Sequence, residues 1–182
     1  LGNLLKSTSK NYRKIPVKGI SFDSRKIKRK DIFFAIRGNK TSGTNFINDA
    51  ISRGASAIVS SKKIKYKNRQ IPLLLVKDVR KSLSEACSKF YRKKSPNIIA
   101  LTGTNGKSSV ADFFYQILNF NRISVASIGT LGIFSKNYCK KTNLTSMDPL
   151  SLHKSLEILA KNKVNHVILE ASSHGLKQKR LD

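Results

Sequence analysis

One short loop carries the side chains in this sequence that are best suited to chemistry. Its residues are Gly103, Thr104, Asn105, Gly106, Lys107, Ser108 and Ser109. The loop follows the apolar run 98–101 and precedes a helical pattern, so we expect a buried strand, a glycine-rich turn and a helix. Such a turn directs backbone N–H groups at one point, where the Lys107 ammonium and the Ser108 hydroxyl can bind phosphate and Mg²⁺. The loop therefore predicts a site for ATP or GTP, although its glycines could also serve only the geometry of the turn.

A second group of polar side chains follows the apolar run 166–169. Glu170 stands at the carboxyl end of this predicted strand, in the layer where Lys107 and Ser108 should lie. It could hold Mg²⁺ directly or through water, or it could be a surface carboxylate that pairs with a lysine. The next polar run, 172–180, could bind a carboxylate or a sugar phosphate, or could form a helix cap followed by a basic helix.

The second half of the chain alternates strand and helix patterns. We expect strands at 98–101, 124–128 and 166–169, helices at 109–119 and from Asp148-Pro149 onward, and a polar loop that runs through Asn143. Alternation of this kind predicts a parallel sheet with ligands at the carboxyl ends of its strands.

The first half predicts a smaller α/β unit. We expect strands near Ile20 and at 31–36, 57–60 and 71–76, a helix capped by Asn45, and a second helix at 82–93. A glycine-bracketed loop, 37–43, follows the second strand. The break at 93–97 contains Pro96 and predicts a boundary between a domain of residues 1–94 and one of residues 95–182.

Composition limits the class of protein. The chain has 182 residues, 39% of them hydrophobic, and a net charge of +26. Because the lysines are scattered and lack interleaved aromatic residues, we favour a solvated basic surface over nucleic-acid binding, and we predict no nucleic-acid partner. No apolar run approaches the ~20 residues of a membrane span, so we predict a cytoplasmic protein. The ends at Leu1 and Asp182 predict a fragment of a longer chain.

Several motifs resemble those of one family. The string from Thr102 to Ser108 resembles the ATP loop of the Mur ligases, the ATP-dependent amide-forming enzymes of peptidoglycan precursor synthesis. The run from Glu170 to Arg180 is similar to the Glu-x-Ser-Ser-His-x-Leu-x-Gln-x-Arg signature of the family member that extends a UDP-linked dipeptide. Further matches fall in family order at 22–25, 38–43, 129–132 and 144–150.

The resemblance implies a fold and an activity. The fold would be α/β, with a small N-terminal α/β UDP-binding domain followed by the first half of a P-loop parallel-sheet ATPase domain. The C-terminal domain that binds the amino acid would lie outside this chain, which alone would be inactive. The reaction would join meso-diaminopimelate or L-lysine to UDP-N-acetylmuramoyl-L-alanyl-D-glutamate through an acyl phosphate, with ATP and Mg²⁺ as cofactors, in a monomer. Another Mur-type ligase, a P-loop GTPase-like switch and a basic nucleic-acid-binding P-loop protein are the alternatives.

The resemblance also implies residue roles. Lys107 and Glu170 would be catalytic, residues 103–109 would bind ATP, and Ser108 and Glu170 would hold the metal. The residues that would hold the uridine end of the substrate are Phe22, Ser24, Asn39, Lys40 and Thr41. Those that would contact its sugar and dipeptide are Thr145, Ser146, Ser172, Gln178 and Arg180. Ser146-Met147 departs from the Thr-Pro of the family pattern, and Ala100 and Ser109 replace frequent Gly and Thr.

Overall fold

Two compact α/β units make up the protein. The computed structural model describes residues 1–5, 12–38, 41–66, 68, 70–142 and 144–182. The chain divides into a first unit, residues 1–90, and a second unit, residues 91–182. The predicted domain boundary at 94/95 falls between a helix that ends at Phe90 and a strand that begins at Asn97.

The first unit contains a four-stranded parallel sheet. In chain order its elements are β1 (Gly19–Ser21), β2 (Asp31–Phe34), α1 (Ile47–Ser52), β3 (Ala57–Ser60), β4 (Leu73–Leu75) and α2 (Val79–Phe90). The strands lie side by side in the order β1-β2-β3-β4, and each neighbouring pair is parallel. Ile32, Phe33 and Phe34 of β2 are almost completely buried, so β2 is the central apolar strand of this unit. All four carboxyl ends therefore meet at one edge of the sheet.

Both helices of the first unit begin at residues other than those predicted. The predicted cap Asn45 is wrong, because the Ser42 side chain accepts the hydrogen bond from Thr44 N and opens a 3₁₀ turn, Gly43–Phe46, ahead of α1. The second helix starts at Val79 rather than at 82, because the Asp78 carboxylate accepts hydrogen bonds from the backbone N–H groups of Arg80 and Lys81. A side-chain oxygen at such a position satisfies N–H groups that have no partner inside the helix.

The second unit contains a five-stranded mixed sheet. Its elements are β5 (Asn97–Leu101), α3 (Lys107–Phe120), β6 (Val125–Gly129), β7 (Gly132–Ser135), β8 (Tyr138–Lys140), α4 (Pro149–Lys161), β9 (His166–Glu170) and α5 (Ser173–Lys177). The order of the strands is β5-β9-β6-β7-β8. β9 is parallel to both of its neighbours, so the carboxyl ends of β5, β9 and β6 share one edge.

A β-meander replaces most of the predicted polar loop that ends at Asn143. β7 pairs antiparallel with β6, and β8 pairs antiparallel with β7. The tight turn into β7 requires Gly132, whose φ of 130° is a conformation that other residues rarely adopt. Asn143 itself lies outside the described residues. The predicted parallel sheet is confirmed for β5, β9 and β6, whereas the antiparallel strands β7 and β8 were not predicted.

β5 is exposed, although its apolar sequence predicted a buried strand. Ile98 and Ile99 are 39% and 38% exposed. The physical reason is position, because β5 is at the edge of the sheet and has β9 as its neighbouring strand on one side. One face of α3 is exposed as well, and its residues are Val110, Phe113, Ile117 and Phe120.

The buried core of the second unit lies between α4 and the central strands. Leu152, Leu156 and Leu159 of α4 pack with Val167 and Leu169 of β9. The predicted start of α4 is confirmed, since Asp148 accepts a hydrogen bond from Ser151 N and Pro149 occupies the first turn. Within the described ranges, no helix has the length and apolar character needed to cross a membrane.

Candidate nucleotide and acceptor site

The glycine-rich loop joins β5 to α3 in the geometry that the sequence predicts. Gly103 has a φ of 150° and Gly106 has a φ of 78°, values at which a β-carbon is unfavourable. Gly106 is the N-cap residue that precedes α3, and among the described residues no side chain caps this end of the helix. The first backbone N–H groups of α3 are therefore available to an anion, next to the positive end of the helix dipole.

The Lys107 side chain folds back over its own loop. Its ammonium donates hydrogen bonds to the backbone oxygens of Gly103, at 2.7 Å, and Thr104, at 3.3 Å. These contacts hold the positive charge above the same turn that presents the free N–H groups of α3. The turn therefore combines a cation with backbone donors, which is the combination that binds phosphate.

Ser108 and Glu170 meet at the base of the loop. The Ser108 hydroxyl donates to Oε2 of Glu170 at 2.9 Å, and Glu170 is only 4% exposed. A hydroxyl and a carboxylate are oxygen ligands of the kind that Mg²⁺ prefers. The pair lies at the same edge of the sheet as the loop that carries Lys107, because β5 and β9 are parallel neighbours whose ends, Leu101 and Glu170, are in register. These residues fit a magnesium site beside the phosphate loop.

Residues at the end of β6 contact both oxygens of the Glu170 carboxylate. Oε1 accepts a hydrogen bond from the backbone N–H of Thr130 at 3.0 Å, and Oε2 lies 3.1 Å from the Thr130 hydroxyl. A β-carbon on Gly129 would overlap Oε1 of Glu170, so only glycine leaves room for the carboxylate. The Thr142 hydroxyl donates to the Gly129 backbone oxygen at 2.9 Å and fixes this strand end. The residues 129–130 were matched as a motif, but sequence reasoning gave Thr130 no role.

The Ser146 side chain is buried and forms hydrogen bonds within the protein. It is 2% exposed, and its hydroxyl donates to the Glu170 backbone oxygen and accepts from the Ser172 backbone N–H. The Ser172 hydroxyl lies 3.0 Å from that of Ser146 and caps α5 by accepting from the Gly175 N–H. A β-carbon on Gly175 would lie 2.5 Å from that of Ser146. Ser146 therefore joins its loop to the end of β9.

Arg180 also contacts the Ser146 loop. Its guanidinium donates to the Ser146 backbone oxygen at 2.6 Å and, through two nitrogens, to the Gln178 side-chain oxygen. The amide nitrogen of Gln178 lies 2.6 Å from the His174 ring. The structure thus brings Ser146, Ser172, Gln178 and Arg180 together near the end of β9. The hydroxyl oxygens of Thr130 and Thr145 are 3.0 Å apart.

Three of the residues predicted to hold a uridine, Phe22, Ser24 and Thr41, lie near the carboxyl edge of the first sheet. Phe22 follows β1 and is 37% exposed, whereas Ser24 is buried. Its hydrogen bond to Asp49, with a further contribution from Arg53, lowers the pKa of the Asp49 carboxyl. Thr41 is in the loop after β2, the neighbouring parallel strand, and its backbone oxygen accepts from Gly38 N at 2.9 Å. Asn39 and Lys40 lie outside the described residues.

A cavity of about 120 Å³ adjoins the Ser108–Glu170 pair. Asp112 and Tyr115 line it from α3, and Ser127 and Phe134 line it from the β6–β7 hairpin. Sequence reasoning missed these residues, because Asp112, Tyr115 and Ser127 match no motif and β7, the second strand of the hairpin, was predicted as part of a loop. The helical spacing of 108, 112 and 115 was the one signal that could have placed them on one face.

Both units are mixed α/β, and the second has the strand, glycine loop and helix of a phosphate-loop protein. Residues 16–91 match the protein family described as "Mur ligase family, catalytic domain". Residues 101–182 match the family described as "Mur ligase middle domain". The chain belongs to the Mur ligase family, of which it carries the N-terminal and middle domains.

Its relatives carry a common name. The chain is 44% identical over 168 residues to the UDP-N-acetylmuramoyl-L-alanyl-D-glutamate--2,6-diaminopimelate ligase of Rhizobium meliloti, a match that covers 92% of this chain and 34% of the relative. It is 45% identical over 170 residues to the ligase of the same name from Rickettsia conorii, with 91% and 35% covered. The chain therefore spans about a third of the length of these relatives.

Solved structures agree in fold. A structure of UDP-N-acetylmuramoyl-L-alanyl-D-glutamate--2,6-diaminopimelate ligase aligns with a TM-score of 0.76 at 32% identity, over 91% of this chain and 34% of that one. The MurF ligase of Thermotoga maritima, solved in complex with ADP, aligns with a TM-score of 0.56 at 24% identity, over 86% of this chain and 32% of its own. This second likeness shows the fold alone.

Proposed function

We propose that this chain is the acceptor- and ATP-binding part of a ligase that joins 2,6-diaminopimelate to UDP-N-acetylmuramoyl-L-alanyl-D-glutamate. The observation that carries the proposal is the buried Ser108–Glu170 pair beneath the Lys107 loop, in a chain 44% identical to a ligase of that name. The sequence left diaminopimelate and lysine open, and the names of the relatives favour diaminopimelate.

The nucleotide site supplies electrostatic stabilisation and positioning. Lys107 and the N–H groups at the start of α3 bind the terminal phosphates of ATP, and Ser108 and Glu170 hold Mg²⁺. When bound, the ion neutralises charge on the phosphoryl group that moves to the acceptor carboxylate. Transfer of this kind needs fixed charges and alignment rather than a protein nucleophile, which fits a site built from one ammonium, backbone donors and one carboxylate.

Each unit carries residues that we assign to the acceptor substrate. Phe22, Ser24 and Thr41 bind the uridine end at the first sheet, together with Asn39 and Lys40. In the second unit Thr145 and Ser172 contact the sugar and dipeptide. Arg180 donates to the Ser146 backbone oxygen, and the Ser146 hydroxyl donates to the backbone oxygen of Glu170 at the end of β9. We therefore assign these two residues the task of holding the Thr145 loop. A cytoplasmic monomer is part of the proposal.

The experiment is an ATP-dependent ligation assay of the protein extended to the length of its relatives. We expect phosphate release that depends on both the UDP-linked dipeptide and diaminopimelate, with L-lysine a poor substitute. Lys107→Met serves as the inactive control. The 182-residue chain should give no amide product, because its edge strand and the apolar face of α3 are uncovered. Preference for lysine would overturn the choice of amine, and phosphate release without the acceptor would overturn the ligase reaction.

A further inference from the structure

The chain forms a narrow hairpin where it leaves β2. Arg37 and Ser42 pair as an antiparallel bridge, and the Gly43 N–H donates to the Ile36 backbone oxygen at 2.8 Å. A β-carbon on Gly43 would lie 2.7 Å from the Ile36 backbone nitrogen, so glycine is needed for the two arms to approach this closely. Thr41, which we assign to the uridine end of the acceptor, precedes Ser42 in this 36–43 hairpin. The position of Thr41 therefore depends on the orientation of the hairpin.

A side chain from α2 contacts this hairpin. Nη2 of Arg80 donates to the Arg37 backbone oxygen at 2.9 Å, which joins residues 43 positions apart in the sequence. Within the described part of the chain, this is the one hydrogen bond of the Arg80 side chain, and no carboxylate there forms an ion pair with it. The guanidinium therefore serves the hairpin and not a salt bridge.

The backbone that carries Arg80 is itself well fixed. Oδ1 of Asp78 accepts hydrogen bonds from the backbone N–H groups of Arg80, at 2.9 Å, and Lys81, at 3.0 Å. Val79 and Leu83 on the same helix are 7% and 1% exposed, so the first turn of α2 is anchored in the core. The planar guanidinium directs its N–H groups along fixed lines. A hydrogen bond from such a base can hold the hairpin in one orientation.

We propose that Arg80 is a positioning residue that holds the 36–43 hairpin in the orientation in which Thr41 binds the uridine end of the acceptor. This inference rests on the proposed function and extends it, because it adds to the uridine site a residue of α2 that none of the sequence motifs contains. Arg80 acts through the Arg37 backbone oxygen and does not itself touch the substrate. Without this contact the hairpin would sample more orientations, and ordering it on binding would weaken the affinity.

The test measures two affinities of the 182-residue chain by calorimetry, one for UDP and one for ADP with Mg²⁺. Arg80→Met should weaken the binding of UDP by about fivefold, which corresponds to the loss of one hydrogen bond, and leave ADP unchanged. Lys81→Met is the matched control, because it removes one positive charge from the neighbouring exposed position and should leave both affinities unchanged. Arg80→Lys, which keeps a donor and the charge, should bind UDP more tightly than Arg80→Met. In the protein extended to the length of its relatives, Arg80→Met should raise the KM for the acceptor and leave kcat unchanged.

The outcomes separate this inference from the proposed function. A UDP affinity that Arg80→Met leaves unchanged would overturn the role of Arg80 alone. An equal loss in Lys81→Met would also overturn it, since the effect would then come from charge and not from the hydrogen bond. Equal weakening in Arg80→Met and Arg80→Lys, or a parallel loss of ADP affinity, would contradict it as well. Absence of UDP binding by the unmodified chain would overturn the proposed acceptor site itself. Thermal unfolding of each variant checks that it is folded.

Discussion

Gly129 lies so close to Glu170 that a β-carbon at position 129 would overlap Oε1 of the carboxylate. Glu170 is buried at the end of β9, and Gly129 ends the parallel neighbour β6. The distance between the ends of β6 and β9 therefore determines the position at which the Glu170 carboxylate meets the Ser108 hydroxyl. A small residue on one strand positions an acidic residue on another.

Gly129→Ala should displace the Glu170 side chain and weaken the binding of ADP with Mg²⁺ by at least about tenfold, because a hydrogen bond to a charged group is lost. The measurement is calorimetric titration of the variant. Ala126→Gly, on the same strand, is the matched control, and it should cost about 1 kcal/mol of stability without changing the affinity. Equal affinities in the two variants would contradict the packing argument.

Lys163 has a left-handed backbone conformation just after α4. Its φ is 59°, a value that costs a residue with a side chain about 1 kcal/mol relative to glycine. Lys163→Gly should therefore raise the free energy of unfolding by about that amount. Lys161→Gly is the control, because Lys161 is the last residue of α4 and pairs with Glu157 at 2.6 Å, so its loss should destabilise. Chemical denaturation compares the two variants.

His153 should make the second unit sensitive to acid. The residue is 6% exposed on α4, and neither ring nitrogen has a full hydrogen-bond partner in the described part of the chain. Burial, assisted by the charge of Lys94 and opposed weakly by the Asp182 backbone, lowers the pKa of His153 from 6.5 to about 4. The unfolded chain then binds the proton more readily than the folded one.

Stability from His153 is thus fully present above pH 6.5 and is lost as the pH falls toward 4. Between about pH 7 and pH 5 we expect a loss of about 2 kcal/mol in the free energy of unfolding. His153→Leu should remove this pH dependence, whereas His174→Asn, at an exposed position, should retain it. Urea unfolding at both pH values measures the difference. An identical pH dependence in the native chain and His153→Leu would contradict the assignment.

The exposed face of α3 should tolerate polar substitution. Phe120 is 88% exposed, so Phe120→Ser should change the stability by less than about 0.5 kcal/mol. Leu159 of α4 is fully buried, and Leu159→Ala should cost about 2–5 kcal/mol. A large loss from Phe120→Ser would mean that this face is covered in the isolated chain. Guanidinium unfolding of both variants distinguishes these results.

Local signals in the sequence predicted the elements that hold the phosphate loop. Asp148-Pro149 marked the start of α4, and the apolar run before Glu170 is the buried strand β9. The glycines and Lys107 predicted the turn itself, because each residue type has a local backbone or charge requirement there. Contacts of this kind depend on neighbours in sequence, which a pattern can record.

The arrangement of the sheet was not predictable in the same way. An apolar run predicted β5 as buried, but its place at the edge depends on which strands pair with it. The antiparallel strands β7 and β8 were missed because they are only four and three residues long, too short for an alternating pattern to show. The internal role of Ser146 and the position of Thr130 between Glu170 and Thr145 depend on residues up to 40 positions apart, which no local pattern records.

The central claim is that the Lys107 loop and Glu170 form one site for a nucleotide and its metal. Calorimetric titration of the 182-residue chain with ADP, with and without Mg²⁺, tests it most directly. We predict binding that strengthens with Mg²⁺, a loss of at least about tenfold in Lys107→Met, and loss of the Mg²⁺ effect in Glu170→Gln. Equal ADP affinity in all three proteins, or an unchanged Mg²⁺ effect in Glu170→Gln, would contradict the account.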